Sequence, residues 1–285
     1  GRESVGGDFR VAKMIPSCHG ADFLVDGQQN HWRLCSFIDQ TRTLDRVDNP
    51  EQARQVGAGL GRFHRLLSDL DARTLHDTLP GFHDTPGYLA LYDALLAGER
   101  RPEDLFCRRF IESRRGLAGV LEEARLSGVL PVRVMHGDPK VNNFLFARDS
   151  DRVVSLIDLD TVKAGLIHYD IGDCLRSCCN PEGEEGGDLD QVDFDMDFCR
   201  AILAGYFAKA SSFLTEADYG FLYAAVHLLA FELGLRFYTD HLAGNIYFKV
   251  DDSEQNLRRA LVQFRLTERI EARQTEIRAL VGELR

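Results

Sequence analysis

With 285 residues, 44% of them hydrophobic and 28% charged, the chain has the composition of a globular protein large enough for a sizeable core and one or two domains. Its 34 basic against 45 acidic residues leave a net charge of −11, which repels phosphate backbones and argues against general nucleic-acid binding, and no apolar run approaches the ~20 residues that span a bilayer. The seven cysteines include no C-x-x-C pair, and even Cys174, Cys178 and Cys179 beside His168 match no usual zinc spacing, so free thiols in a reducing cytoplasm are expected.

Residues 9–12, 23–25 and 32–38 are short and apolar, separated by the turn-rich His19-Gly20 and Asp26-Gly27, and predict part of a small antiparallel sheet. The pattern switches at Asp48-Asn49-Pro50. Asn49 is placed to cap a helix, Pro50 fits its first position, and Val56, Leu60, Phe63, Leu67 and Leu70 recur at the spacing of one helical face. His64, beside those core positions, is expected to be structural. Gly57, Gly59 and Gly61 miss the G-x-G-x-x-G spacing and lie on the same stripe, which predicts close helix packing and not a dinucleotide loop.

From there the chain is predicted to be mainly helical with one interruption, where residues 132–135, 144–146 and 153–157 form short strands around polar loops. Helical pattern resumes near Asp170 and covers 194–210, 217–242 and a charged amphipathic C-terminal segment. Asp188, Asp190, Asp193, Asp195 and Asp197 lack the central glycine and final glutamate of a calcium loop, so they predict a solvated acidic loop and a helix start.

The chemistry concentrates in the interruption. Val134-Met135-His136-Gly137-Asp138-Pro139-Lys140-Val141-Asn142-Asn143 is a strand followed by a polar loop, and Leu156-Ile157-Asp158-Leu159-Asp160 is a second strand ending in carboxylates. Phosphoryl transfer needs a carboxylate to orient and deprotonate the attacking hydroxyl, hard oxygen ligands for Mg2+ on the phosphates, and positive charge on the transferring group. Asp138 suits the first role, Asn143 and Asp158 the second, and Lys140 the third. Lys at plus two and Asn at plus five from the Asp is the spacing of the protein-kinase catalytic loop.

H-G-D-x-x-x-x-N followed by I-D-x-D resembles the signature of the aminoglycoside phosphotransferases, choline kinases and their sugar-kinase relatives. The resemblance implies an α+β, protein-kinase-like two-lobe fold, with a small β-rich N-lobe within residues 1–38 and a large, mainly helical C-lobe over 39–285. It implies an ATP- and Mg2+-dependent small-molecule kinase with Asp138 as catalytic base, Asn143 and Asp158 as metal ligands, His136 supporting the loop, and Asp160 assisting metal or substrate.

A finer resemblance, to N-acetylhexosamine 1-kinases, runs nearly throughout the chain. It is carried by Trp32-Arg33-Leu34, Pro80-Gly81-Phe82-His83-Asp84-Thr85-Pro86, Asp158-Leu159-Asp160-Thr161-Val162, Tyr169-Asp170-Ile171-Gly172-Asp173, Leu235-Arg236-Phe237-Tyr238-Thr239-Asp240 and Tyr247-Phe248-Lys249. It implies a sugar acceptor phosphorylated at its anomeric hydroxyl and held by His83 and Arg236. Trp32, Leu34 and Phe37 then lie on the strand that runs into the adenine hinge. Aminoglycoside, choline and homoserine acceptors, and a catalytically silent nucleotide-binding protein, are the alternatives. An aminoglycoside site would need a dense acidic groove, for which residues 182–197 are the candidate. Only Lys13 precedes Lys140, with no room after it for a partner helix, and Gly6-Gly7 alone makes no phosphate loop. The expectation is a depleted N-lobe, with the chain starting partway through it and no lysine reaching the cleft from that side.

Overall fold

The computed structural model of the chain describes residues 9–98 and 104–285; Gly6 and Gly7 lie outside them. Near the N-terminus, β1 (Met14–Ile15) and β4 (Leu34–Cys35) pair antiparallel, as do β2 (Leu24–Val25) and β3 (His31–Trp32), and the residues of all four strands are exposed. The strand expected over 9–12 forms no ladder; the Arg10 N–H donates to the Val154 carbonyl at 2.7 Å. The strand expected over 32–38 is split at Arg33. The cause is Asp26, whose carboxylate accepts from the Gln28 and Asn30 N–H groups and from the Trp32 indole, turning β3 back onto β2.

Helix α1 (Pro50–Leu67) starts as its sequence dictates: the extended Asn49 accepts from the Gln52 N–H at 2.9 Å, and Pro50 takes the first turn, where no N–H is needed. Val56, Leu60 and Phe63 form its buried face. Its glycines let the backbone of α6 (Met196–Ala210) come close. A Cβ on Gly57 would lie 2.0 Å from the Ile202 carbonyl oxygen, and one on Gly205 2.0 Å from that of Arg54. Asp195 of the acidic segment caps α6, accepting from the Asp197 and Phe198 N–H groups.

Two small ladders position the chemistry. β5 (Thr41–Arg42), β7 (Phe144–Ala147) and β8 (Val153–Leu156) form a three-stranded antiparallel sheet in the order β5-β7-β8, and β6 (Arg133–Met135) pairs with β9 (Lys163–Gly165). The loop at 136–143 leaves β6 and enters β7; the loop at 157–162 leaves β8 and enters β9. Because Met135 is paired with Lys163 and Phe144 with Leu156, the two loops run side by side between the same two ladders.

The remaining helices are α2 (Thr85–Leu96), α3 (Leu105–Arg114), α4 (Val120–Leu126), α5 (Ile167–Cys178), α7 (Glu216–Gly220), α8 (Leu222–Ala243), α9 (Gln255–Ala272) and α10 (Gln274–Leu284). One core joins α1, α5, α6, α10 and one side each of α8 and α9 to the buried faces of β7 and β8; a second joins α2, α3 and α4 to the other sides of α8 and α9. Helix α5 also runs through both, giving Ile171, Cys174 and Leu175 to the first and Tyr169 to the second. At ~1.5–3 kcal/mol for each fully buried large apolar side chain, these cores hold the loops between them in place. Cys107, Cys174, Cys178, Cys179 and Cys199 are buried free thiols, and His168 places Nε2 3.0 Å from the Asp218 carbonyl. Among the described residues no helix is long and apolar enough to cross a membrane.

Candidate active site

The loop carrying Asp138 is anchored from beneath by Asp170 on α5, which is fully buried. Its Oδ2 accepts from the His136 N–H at 2.6 Å and its Oδ1 from the Gly137 N–H at 2.7 Å. His64 of α1 places Nε2 2.8 Å from the same Oδ2, and the Tyr206 hydroxyl meets His64 Nδ1 at 2.9 Å. Burial by itself would raise the Asp170 pKa; His64, His136 and their hydrogen bonds outweigh it, and the net shift is downward. Gly137 sits at φ 93°, and a Cβ there would lie 2.8 Å from the Thr161 carbonyl oxygen, so the position requires glycine. His136 lies 2.9 Å from the Ile157 carbonyl through Nε2, which must therefore donate; its Nδ1 is left to accept the Asp138 N–H at 3.3 Å.

Asp138 is half-buried at the end of this scaffold. Lys140 Nζ lies 2.8 Å from its Oδ2. Burial would lower the Lys140 pKa, but the Asp138 carboxylate raises it by more, so the ammonium is kept charged. Asn143 donates through Nδ2 to the Asp138 carbonyl at 2.7 Å, which fixes the amide and leaves Oδ1 as its free acceptor face. The Ile157 N–H donates to the Asn143 carbonyl at 2.9 Å and ties the second loop to the first.

Asp158 follows at once, exposed and in the left-handed region at φ 64°. That conformation costs a non-glycine residue about 1 kcal/mol or more and is characteristic of functional loops. An amide oxygen and a carboxylate are the hard donors that Mg2+ takes, so Asn143 and Asp158 fit the metal chemically. Asp160 is engaged elsewhere: its carboxylate pairs with the Arg33 guanidinium, and its carbonyl accepts from Thr78 Oγ1 at 2.6 Å.

Beside Asp138 opens a cavity of about 450 Å3, lined by both Asp138 and Lys140 and by His83, Asp173, Arg176, Glu184, Arg236, Lys249 and Arg259. Arg236 on α8 is boxed by aromatic rings, its guanidinium carbon 4.9–5.8 Å from the centroids of Phe82, Tyr88, Tyr247 and Phe248. The loop bearing Tyr247 and Phe248 is held by Asp240, whose carboxylate accepts from the Ile246, Tyr247 and Phe248 N–H groups. His83 is buried, with Nδ1 2.8 Å from Glu232 Oε1 and Nε2 3.0 Å from the Gly137 carbonyl, so both ring nitrogens are engaged within the protein.

The acidic segment reaches this cavity in neutralised form: Glu184 pairs with Arg176, which also holds Asp173, and Glu185 pairs with Arg259. Trp32, Leu34 and Phe37 are exposed apolar side chains, with the Trp32 indole N–H held by Asp26 at 2.9 Å. Lys13 forms backbone hydrogen bonds to Ser36, and among the described residues its ammonium has no carboxylate partner. The sequence did not single out Asp173, Arg176, Glu184, Lys249, Arg259 or Glu232 as individual site residues. Their signal is tertiary: the first five reach the cavity from elements far along the chain, and Glu232 reaches His83 from α8.

The model of the phosphotransferase enzyme family, APH, matches residues 5–208. Among solved structures, an aminoglycoside phosphotransferase from Alicyclobacillus acidocaldarius is 18% identical, with 98% of this chain and 80% of that one aligned at a TM-score of 0.62. A microcompartment-associated aminopropanol kinase is 14% identical over 95% of this chain and 77% of that one, TM-score 0.56. The amicoumacin kinase hAmiN, solved with AMP-PNP, Ca2+ and Ami, is 16% identical over 90% and 72%, TM-score 0.56. At these identities the likeness concerns the fold.

Proposed function

We propose, because the chain belongs to the phosphotransferase enzyme family and is a small-molecule phosphotransferase, that it moves the γ-phosphate of ATP to a neutral sugar, an N-acetylhexosamine at its anomeric hydroxyl. The observation that favours a neutral acceptor is the charge of the cavity. Among its described lining residues three carboxylates, Asp138, Asp173 and Glu184, meet five cations, Lys140, Arg176, Arg236, Lys249 and Arg259. Even with Arg259 paired to Glu185, a polycationic aminoglycoside would find no surplus of acidic groups there. Choline would need an aromatic cage for its quaternary ammonium, and the cage present is filled by the guanidinium of Arg236. A sugar makes directed hydrogen bonds, which Arg236 can donate, and offers C–H faces to Tyr247 and Phe248.

In this reading Asp138 orients the acceptor hydroxyl and takes its proton, and Lys140 supplies positive charge beside the transferring group. Asn143 and Asp158 would hold Mg2+, which when bound neutralises phosphate charge. Trp32, Leu34 and Phe37 offer the apolar surface for adenine. Residues 1–38 then belong to an N-lobe and 39–285 to a C-lobe, in a cytoplasmic enzyme. Release of ADP from the purified protein, measured across N-acetylhexosamines, aminoglycosides, choline and homoserine, tests the assignment. Turnover should be highest with an N-acetylhexosamine; a higher kcat/KM for choline or an aminoglycoside than for any sugar refutes it.

A further inference from the structure

His83 is a ring in the site whose two partners call for a proton on each nitrogen. The Gly137 carbonyl can only accept, so Nε2 must donate to it across the 3.0 Å separation. Glu232 Oε1 lies 2.8 Å from Nδ1, and its Oε2 already accepts from Thr85 Oγ1 at 2.5 Å. A carboxylate with both oxygens accepting leaves Nδ1 as the donor. The ring is locked in this pose: it stacks on Tyr169, with centroids 5.1 Å apart and planes 7° from parallel, and its backbone is held at φ 63°. Both partners matter to the chemistry. Gly137 immediately precedes Asp138, and Glu232 lies one turn before Arg236 on α8.

We propose that His83 is a positioning residue for phosphoryl transfer: as a doubly donating imidazolium it ties the Gly137 carbonyl, and so the loop carrying Asp138, to the acceptor-side helix α8. This rests on the phosphotransferase reading and reassigns His83 from a sugar ligand to the strut between base and sugar. The groups facing the ring agree with a charged state. Glu232 and Asp173 favour it, Tyr169 and Tyr88 are neutral phenols, and the cation Arg236 is turned into its aromatic box. Burial alone would depress the imidazole pKa, but Glu232 reverses this and the net shift is upward. The sign follows: a raised pKa keeps the strut intact below pH ~6.5, and the strut is lost as pH rises through the folded-state value.

Two measurements test the strut. Imidazole 15N NMR of the protein without substrates, with the His83 signals assigned by their absence in His83→Gln, should show both nitrogens protonated at pH 6. A neutral ring there, with Nδ1 accepting, overturns the proposal whether or not the protein phosphorylates anything. In kinetics, His83→Ala should lower kcat by roughly 10–100-fold with little change in the KM for ATP, the cost of a misplaced base. His83→Gln keeps one donor for Gly137 and should recover part of that loss while losing the alkaline limb of the kcat profile. Glu232→Gln should move that limb to lower pH. The same limb in His83→Gln as in the wild type refutes the role, and so does an unmoved limb in Glu232→Gln; both readouts stand even if His83→Ala does not fold. Wild-type protein that turns over no acceptor would instead sink the functional reading while leaving the NMR result standing.

Discussion

Replacing Asp170 by Asn should separate the scaffold of the catalytic loop from its chemistry. The carboxylate takes three buried donors: Gly137 N–H at 2.7 Å on Oδ1, His136 N–H at 2.6 Å and His64 Nε2 at 2.8 Å on Oδ2. An amide has one oxygen, which can serve the two donors on the Oδ2 side. Its NH2 then faces the Gly137 N–H, donor against donor. A hydrogen bond to a charged group is worth about 1.5–3 kcal/mol and a stranded buried donor costs about 1–3 kcal/mol, so the loss should be roughly 3–5 kcal/mol. On a typical total of about 5–15 kcal/mol this is large, equivalent to a fall in Tm of roughly 6–15 °C. Urea denaturation read by circular dichroism measures it, with Asp193→Asn as control. Asp193 makes only a half-exposed pair with Arg273 at 3.1 Å, expected to be worth less than about 1 kcal/mol. The pH dependence is a second check. The Asp170 pKa is lowered on folding, so its contribution is complete above the ordinary carboxylate range and disappears as pH falls through the lower folded-state value. Wild type and variant should differ fully at pH 6 and converge below pH ~4. A difference under about 1 kcal/mol at pH 6 would refute the anchoring argument.

Asp138→Asn should keep the fold and nucleotide binding while cutting turnover at least ~100-fold, because an amide cannot accept the proton; near-normal ADP release would remove Asp138 from the base role. Asp158→Ala should abolish the Mg2+-dependent part of ATP binding in calorimetry, and unchanged Mg2+ dependence would unseat the ligand assignment. Arg236→Ala empties the aromatic box and removes a donor, so the acceptor KM should rise roughly ten-fold with the ATP KM little changed; an effect on ATP alone would contradict the acceptor-side placement. Gly57→Ala should destabilise by at least ~2 kcal/mol, since its methyl would meet a backbone oxygen that cannot move aside, and a neutral urea midpoint would count against the close α1–α6 crossing.

What the sequence disclosed follows the range of the forces involved. Asn49 and Pro50 start α1 through contacts within one turn, and the Asp138, Lys140 and Asn143 spacing is fixed by a loop of a few residues, so both were legible. Of the N-terminal strands, 23–25 was placed and 32–38 was found broken in two, whereas 9–12 was misplaced; their residues are mostly exposed, so no buried face enforces a period, and the Asp26 turn decided where the strand broke. Helix α8 is buried nearly all round and so shows little amphipathic signal, although its existence was evident from its length and composition. The strut from His83 to Glu232 spans 149 residues of sequence, and nothing local to either residue announces it. His64 illustrates the intermediate case: its place on the core face was readable, but its partner Asp170 was not.

The two halves of the site are held by different means, and the chemistry explains why. In its proposed role as base, Asp138 would gain rate only if fixed relative to the hydroxyl it deprotonates, since a displacement near 1 Å can cost about two orders of magnitude. The loop of Asp138 is accordingly gripped by groups that are themselves buried: Asp170 on α5, His136 against the Ile157 carbonyl, and His83 against Gly137. Removing any one of these leaves a polar atom unpaired away from water, so the grip resists partial loosening. Asp158 has the opposite setting, exposed in a left-handed turn on the loop that β8 and β9 bracket. In its proposed role as metal ligand, Asp158 would be aligned by the cation and phosphates that arrive with the nucleotide, and burying it beforehand would cost several kcal/mol of desolvation with no charge to offset it. The Asn143 carbonyl and the Ile157 N–H join the two regimes at one backbone hydrogen bond, so the proposed ligand Asp158 follows directly on a point of backbone tied to the first loop.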